Sequence, residues 1–480
     1  MNYRIILFTV GRVLKVEAGL LLLPLITALC YRESCAMAFI LAIMIALAAG
    51  FSLTALFRPK SKVLFIKEGF LIVALVWIVL SLVGALPFVI SGEIPSFIDA
   101  FFETVSGFTT TGASILTDVE DMCRSMLFWR SFTHWIGGMG ILVFVVMLDR
   151  QSSERSMNIL RAEMPGPKVD KLVPRTRDTA RILYLIYLSM TALQIILLLC
   201  GGMSLFDSVV HAFGTAGTGG FGIRADGLSS YSPYLQWVIA IFMLLFGVNF
   251  NVYYLILLRR FRSALKSTEL WVYLSIAAAA TLAVSINIYP LYHNALQAIR
   301  QAFFQVSSII TTTGYATADF NLWPGLSRGI LFALLFLGGC AGSTAGGLKI
   351  SRVILLFQQI RKELRHMLHP RSIYPSRFEG KPVSDEVAHS TTVYFALYCL
   401  SILLLFLLLS FEPFDLETNL TAAISCFNNV GPGLAAVGPM GGYSGYSPAA
   451  KLLLSLAMLM GRLEIYPMLL LFSPSTWSKR

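Results

Sequence analysis

The chain has 480 residues, of which 56% are apolar and only 13% charged, against roughly 25% charged in an average soluble domain. No water-soluble core buries that much apolar surface, so a large soluble enzyme is excluded and lipid is the solvent for most of the chain. The net charge of +11 could suggest nucleic acid, but the basic residues are scattered among loops rather than gathered with aromatics on one domain.

In chain order, hydropathy predicts long spans over about 4–30, 35–57, 68–91, 123–148, 179–201, 232–258, 269–290, 325–358, 390–411 and 448–473. Each is long enough to cross about 30 Å of hydrocarbon. Arg4, Arg12 and Lys15 ahead of the first apolar run resemble a signal peptide. No small residue stands just before Cys30, however, and a second span follows directly, so an uncleaved helix is expected. The loops 58–67, 150–181, 259–266 and 349–381 hold most of the 37 Lys and Arg. The remaining connections carry Glu93, Asp99, Asp118, Glu120, Asp121, Asp226, Glu412, Asp415 and Glu417. By the positive-inside rule the basic loops face the cytoplasm.

Four shorter apolar segments, 96–111, 204–218, 296–313 and 416–430, lie between spans on the acidic side. They are too short to cross, and each runs into glycine, as expected of a half-helix that enters and turns back. Span, half-helix, glycine turn and span then recur as a tandem repeat that would enclose a central passage. The expected organisation is an all-α polytopic membrane protein with an N-terminal transmembrane hairpin (1–60) and pore repeats over 61–160, 161–262, 263–365 and 366–480. A single Thr-Thr-Thr-Gly could be an ordinary turn; four such segments on one side have no comparable structural explanation.

The turns are Thr110-Thr111-Gly112, Gly217-Thr218-Gly219, Thr312-Thr313-Gly314 and Asn429-Val430-Gly431. Rings of backbone carbonyls replace the hydration shell of the ion in potassium channels. Aiming successive carbonyls at one axis needs left-handed backbone, which glycine adopts cheaply. Gly112, Gly219, Gly314 and Gly431 are therefore expected at the ring, and all twelve turn residues are candidates to bind a potassium ion. No carboxylate lies in the turns. The half-helices would point their C-terminal ends, each about half a negative charge, at that axis. Asp99, Asp207 and Asn419 stand near the starts of three of them, as capping residues would.

The combination resembles the Trk/Ktr/HKT superfamily of potassium transporters, and within it the bacterial Trk-type pore subunit. The resemblance runs over nearly the whole chain. Its most specific stretches are 102–108 leading into Gly112, Trp129-Arg130-Ser131, 135–140, 428–433 and Gly461-Arg462-Leu463-Glu464. It implies potassium uptake through a carbonyl-lined selectivity filter and a multi-pass protein of the bacterial inner membrane with both termini cytoplasmic. A homodimer and a separate cytosolic nucleotide-binding regulatory subunit are implied as partners, with any nucleotide on that subunit. The segments 359–389 and 150–178 are candidate docking surfaces. Gly112, where sodium-transporting plant relatives carry serine, favours potassium.

Within span 325–358, Gly338-Gly339-Cys340-Ala341-Gly342-Ser343-Thr344-Ala345-Gly346-Gly347 should not hold a helix, since each glycine costs about 1 kcal/mol relative to alanine. Irregular backbone at membrane depth belongs inside protein or beside water. The family resemblance implies that 340–346 form a movable gate below the filter; close helix packing is the alternative. Ser343 lacks the GxSxG context and acid–base partner of a nucleophile. Arg462 interrupts an apolar span, where a charge costs roughly 2.5–3.5 kcal/mol. It is expected in the inner cavity with the gate, held by loop carbonyls or Glu464; a structural pair with Glu464 is the alternative. Arg130 and Lys451, nearer span ends, are expected to be interfacial, and almost no acidic residue is expected inside the spans.

The seven cysteines form no CxxC pair and read as small apolar residues, with a Cys30–Cys35 disulfide as the lesser alternative. The histidines form no ligand pattern, and no Walker A sequence is present. A secondary transporter of another small solute or of a cation such as sodium is the leading alternative, but it predicts a polar midplane site. An enzyme would need an intramembrane acid–base constellation that is not evident.

Overall fold

Uninterrupted apolar runs become long helices, closed by a left-handed residue at Gly92, Arg32 and His293. The structure, a computed structural model, describes residues 2–59, 65–140, 176–370 and 377–477. Among them, six helices are long and apolar enough to cross a membrane: Tyr3–Tyr31, Ala36–Leu56, Lys67–Ser91, Ala180–Cys200, Thr268–Tyr292 and Asp385–Leu409. Their outward faces carry large exposed apolar side chains such as Ile26, Met44, Phe51, Leu185, Leu282, Ile286 and Leu404. In water such patches would drive aggregation; in lipid they are the solvated surface.

The first helix packs along Ala36–Leu56 through small residues. A Cβ on Gly50 would lie 2.9 Å from the carbonyl oxygen of Gly11, so the two backbones touch. This hairpin leans on Ile66–Gly84, which opens the repeated part of the chain. Each of the four predicted half-helices is present: Phe97–Phe108, Leu205–Gly217, Ala295–Ile310 and Leu416–Asn428. The helix Arg124–Met139 packs against the first and second of them, and Pro233–Phe246 against the second and third. Pro448–Arg462 packs against the fourth and the first, which closes the arrangement into a ring.

The second spans of the second and fourth repeats depart from the expected continuous helices, and that of the third breaks at its glycine run as expected. The span 232–258 bends by 91° between Phe246 and Phe250. Gly247 and Val248 break the ladder there, and Asn249 starts a new helix by accepting the Asn251 N–H. The span 325–358 is helical only over Gly325–Leu334 and Ile350–Leu368, with the glycine run as a loop between them. Pro448–Arg462 ends at Leu463, and Glu464 and Ile465 take φ of 53° and 69° before Tyr466–Phe472 resumes. The end of the predicted span 123–148, most of the basic segment 150–178 and residues 371–376 lie outside the described residues.

Charged groups correct three expectations. Arg130 and Lys451 are not interfacial but buried, at 3% and 6% exposure. Acidic residues do occur inside the helices: Glu17, Glu68, Glu103 and Glu269 are all buried. Half-helix caps are Ser96, Ser204, Asn294 and Asp415, one turn before the residues expected. Asp99 and Asp207 instead occupy first turns, where a negative charge meets the positive end of the helix dipole.

Candidate functional site

All four half-helices end in the same way. The amides of Thr111, Gly219, Thr313 and Val430 donate back to the carbonyls of Ser106, Gly214, Ser308 and Ser425 at 2.9, 2.8, 2.8 and 3.0 Å. The residue before each of these is left-handed: Thr110, Thr218, Thr312 and Asn429 have φ of 57°, 56°, 56° and 57°. A positive-φ glycine follows each, Gly112 (78°), Gly220 (78°), Gly314 (84°) and Gly431 (97°). Threonine and asparagine accept that left-handed strain only because the surrounding helices hold the turn in place.

This repeat sets a different register for the second turn. Gly220, not Gly219, is the counterpart of Gly112, and Gly219 matches Thr111. Gly217 is the last residue of the second half-helix, where its carbonyl accepts from the Thr218 hydroxyl at 2.6 Å.

The turns meet around one axis. A Cβ on Gly112 would collide with the Gly219 carbonyl, one on Gly220 with that of Thr313, and one on Gly314 with that of Val430. One on Gly431 would lie 2.6 Å from the Thr111 carbonyl oxygen, completing the circle. The carbonyls of Thr110, Thr111, Thr218, Gly219, Thr312, Thr313, Asn429 and Val430 accept no hydrogen bond from any described residue, although all eight residues are buried. Buried backbone carbonyls without donors are rare and costly, so this ring is an acceptor set without a protein partner.

The scaffold behind the ring joins residues far apart in sequence. His134 Nδ1 is 2.8 Å from the Gly107 carbonyl, and its Nε2 accepts from the Phe221 N–H at 3.3 Å. Those partners fix a neutral imidazole with hydrogen on Nδ1. Glu103 accepts from Arg130 Nε at 2.8 Å, from Ser114 Oγ at 3.0 Å and from the Ile115 N–H at 3.0 Å. Arg130 also reaches the Gly222 carbonyl at 3.3 Å and lies 4.1 Å from the centre of the Phe221 ring. Lys451 pairs with Asp99 at 2.7 Å, and Arg328 pairs with Glu417, stitching the fourth repeat to the first and the third to the fourth. Asn429 Nδ2 donates to the Thr111 hydroxyl at 3.0 Å and to the Met458 carbonyl at 2.9 Å.

Outside the ring lies a vestibule of about 450 Å³ bordered by residues of all four turns. Inside it the free space shrinks to about 110 Å³ between Trp77, Gly138, Ala345, Gly346 and Arg462, room for roughly three or four waters. The loop after Leu334 fills the difference. The Gly346 N–H donates to the Thr312 hydroxyl at 2.7 Å, directly beneath the ring. The Cys340 N–H donates to the Gly247 carbonyl at 2.9 Å, and Gly342 accepts from the Phe250 N–H at 3.1 Å, so the loop plugs the bend of the second repeat. Its neck closes where Gly338 N–H meets the Leu348 carbonyl at 2.9 Å. Glu269 Oε1 accepts from the Ala341 and Ser351 amides at 2.7 and 3.0 Å, holding both sides of the neck.

Arg462 lies against this loop. Its guanidinium donates to the carbonyl of Thr344 at 2.8 Å and to those of Gly137 and Gly138 at 2.5 and 2.9 Å. Glu464 pairs with Arg352. Ser343 bonds the Cys340 carbonyl at 2.7 Å, a local turn contact. The sequence offers no sign of the roles of His134, Glu103 or Glu269, because their partners are many residues away.

Half-helices around an axis, with unpaired carbonyls at the centre and lipid-facing helices outside, define a membrane protein built for the passage of a small cation. Comparison with known proteins agrees. The family model "TrkH: Cation transport protein" matches residues 35–479, and the chain belongs to that family. It is 36% identical to the "Trk system potassium uptake protein TrkH" of Escherichia coli K12, over 99% of this chain and 100% of that protein. Identity to the "Trk system potassium uptake protein TrkH" of Halomonas elongata is 33% over the full length of both. The crystal structure of the potassium transporter TrkH from Vibrio parahaemolyticus superposes with a TM-score of 0.89 at 32% identity, covering 100% of both chains.

Proposed function

We propose that this chain is a transporter rather than an enzyme and takes up potassium across a bacterial inner membrane as the pore protein of a Trk-type system. One observation carries the reading: eight buried carbonyls from four equivalent turns, around a single axis, accept from no donor among the described residues. A potassium ion stripped of water satisfies them, and they satisfy it. Four half-helix C-termini add negative potential at the same point. In this reading Thr110, Thr111 and Gly112, Thr218, Gly219 and Gly220, Thr312, Thr313 and Gly314, and Asn429, Val430 and Gly431 bind the passing ion. The names of the relatives above favour potassium as the cargo.

The loop 340–346, seated on the Thr312 hydroxyl and held by Arg462, acts as the gate. Withdrawing it would connect the vestibule to the inner side. The basic helix Ile350–Leu368 continues from the loop, so a cytosolic nucleotide-binding subunit docking on 359–389 has a lever on the gate. The positive-inside distribution supports cytoplasmic termini. The protein works as a homodimer, each chain with its own axis.

The test is tracer rubidium uptake into liposomes holding the purified protein, under a potassium gradient. Wild-type uptake should be competed by potassium far better than by sodium, and Gly112→Ala should abolish it. Uptake equally competed by both ions, or unchanged in Gly112→Ala, would refute the reading.

A further inference from the structure

Away from the axis, three side chains of ligand type converge where the half-helices begin. Cys35 precedes Ala36–Leu56, Glu93 lies in the connection between Leu86–Ser91 and Phe97–Phe108, and Cys123 caps Arg124–Met139. The two sulfurs and a Glu93 carboxylate oxygen all lie within 4.8 Å of one another. Glu93 Oε1 accepts from the Cys35 thiol at 3.6 Å and from the Cys123 N–H at 3.4 Å, which aims the carboxylate between the sulfurs. Cys35 is 4% exposed, whereas Cys123 borders an outer cleft of about 720 Å³ that also holds Glu33, Glu120, Asp207 and Asp226.

We propose that Cys35, Glu93 and Cys123 bind a single thiophilic divalent cation of the zinc class. A thiophilic cation would displace the thiol protons, including the one Cys35 gives to Glu93, and so gather two thiolates and a carboxylate around itself. Soft sulfur ligands select zinc or cadmium over potassium or magnesium. Tetrahedral zinc–thiolate bonds of ~2.3 Å place two sulfurs about 3.8 Å apart, within reach by rotation of the thiols. Cys123 opens the site to the cleft, where Arg124 and Arg224 stand beside the four carboxylates and leave a net negative lining. Glu33 is engaged elsewhere, accepting from the Arg124 and Ser125 amides at 2.8 and 3.0 Å, and steadies the turn that carries Cys123. A disulfide between the cysteines would leave Glu93 facing sulfur with nothing to gain. A bound ion ties the N-terminal hairpin to both sides of the first half-helix, so it stabilises the outer face without entering the conduction path.

The experiment uses the full chain in detergent, reduced and stripped with chelator, titrated with cadmium and then zinc. One equivalent of cadmium should produce the cadmium–thiolate ultraviolet band, zinc should displace it, and the melting temperature should rise. Cys35→Ser and Cys123→Ser should each lose the band while keeping the wild-type gel-filtration profile, and Glu93→Gln should weaken binding at least tenfold. The triple variant of the exposed cysteines, Cys30→Ser, Cys200→Ser and Cys399→Ser, should retain the band. No band at one equivalent, a band surviving both single cysteine variants, or a Cys35–Cys123 disulfide in the protein as isolated would each overturn the proposal.

Discussion

At Gly220 one methyl group separates a working ring from a blocked one, because a Cβ there would run into the Thr313 carbonyl and the backbone is left-handed. Gly220→Ala should therefore reduce rubidium uptake at least ~10-fold, the effect of about 1.4 kcal/mol. Gly222→Ala, whose Cβ would find its nearest neighbour at 3.6 Å, should leave uptake near wild type. Equal effects of the two substitutions would deny the ring its close packing. This register is hidden in the sequence: Gly217, Gly219 and Gly220 crowd one turn, and composition alone does not say which glycine takes positive φ. A second residue-level test concerns Glu17, buried beside Gly84 with neither carboxyl oxygen bonded to a described residue. Glu17→Met removes an unsatisfied buried group and should raise stability by about 1–3 kcal/mol with uptake unchanged. A lower melting temperature would mean that the carboxyl has a structural task.

Elements explain why some features were legible and others were not. Half-helices showed in the sequence because a short apolar run ending in glycine between two long spans has one easy reading. Breaks in the second spans were harder. Five glycines between Gly338 and Gly347 announced one, but the 91° bend after Phe246 is marked in the sequence only by Gly247-Val248-Asn249, and the third-repeat loop is lodged in it. That loop is held by Glu269 at both sides of its neck. Glu269→Ala removes two charge-assisted bonds of about 1.5–3 kcal/mol each from the seated state. It should raise basal rubidium flux several-fold in liposomes; unchanged flux in a well-folded variant would show that the neck does not govern the gate. Within the first repeat, Glu103 and Arg130 form a buried pair whose net contribution is small but whose disruption is not. Glu103→Met and Arg130→Met should each cost about 3–5 kcal/mol in thermal unfolding, and the double substitution should recover much of that loss. Additive losses would mean that the two side chains act separately.

Over the whole molecule, the architecture is a ring of equivalent parts in which the third and fourth members differ from the rest. Three turns carry threonine at the left-handed position; the fourth carries Asn429, which crosses to the Thr111 hydroxyl and the Met458 carbonyl. Among the described residues, only the third repeat inserts a loop beneath the ring. Symmetry thus supplies the converging carbonyls and asymmetry supplies the plug. On the proposed function, the carbonyls left without a donor from any described residue are those that take a dehydrated cation. Anomalous diffraction from crystals soaked in thallium(I), a potassium mimic, tests this most directly. The account predicts peaks on the axis, at coordination distance from the carbonyls of Thr111, Gly219, Thr313 and Val430. Thallium bound only elsewhere, with the axis free of peaks, would contradict it.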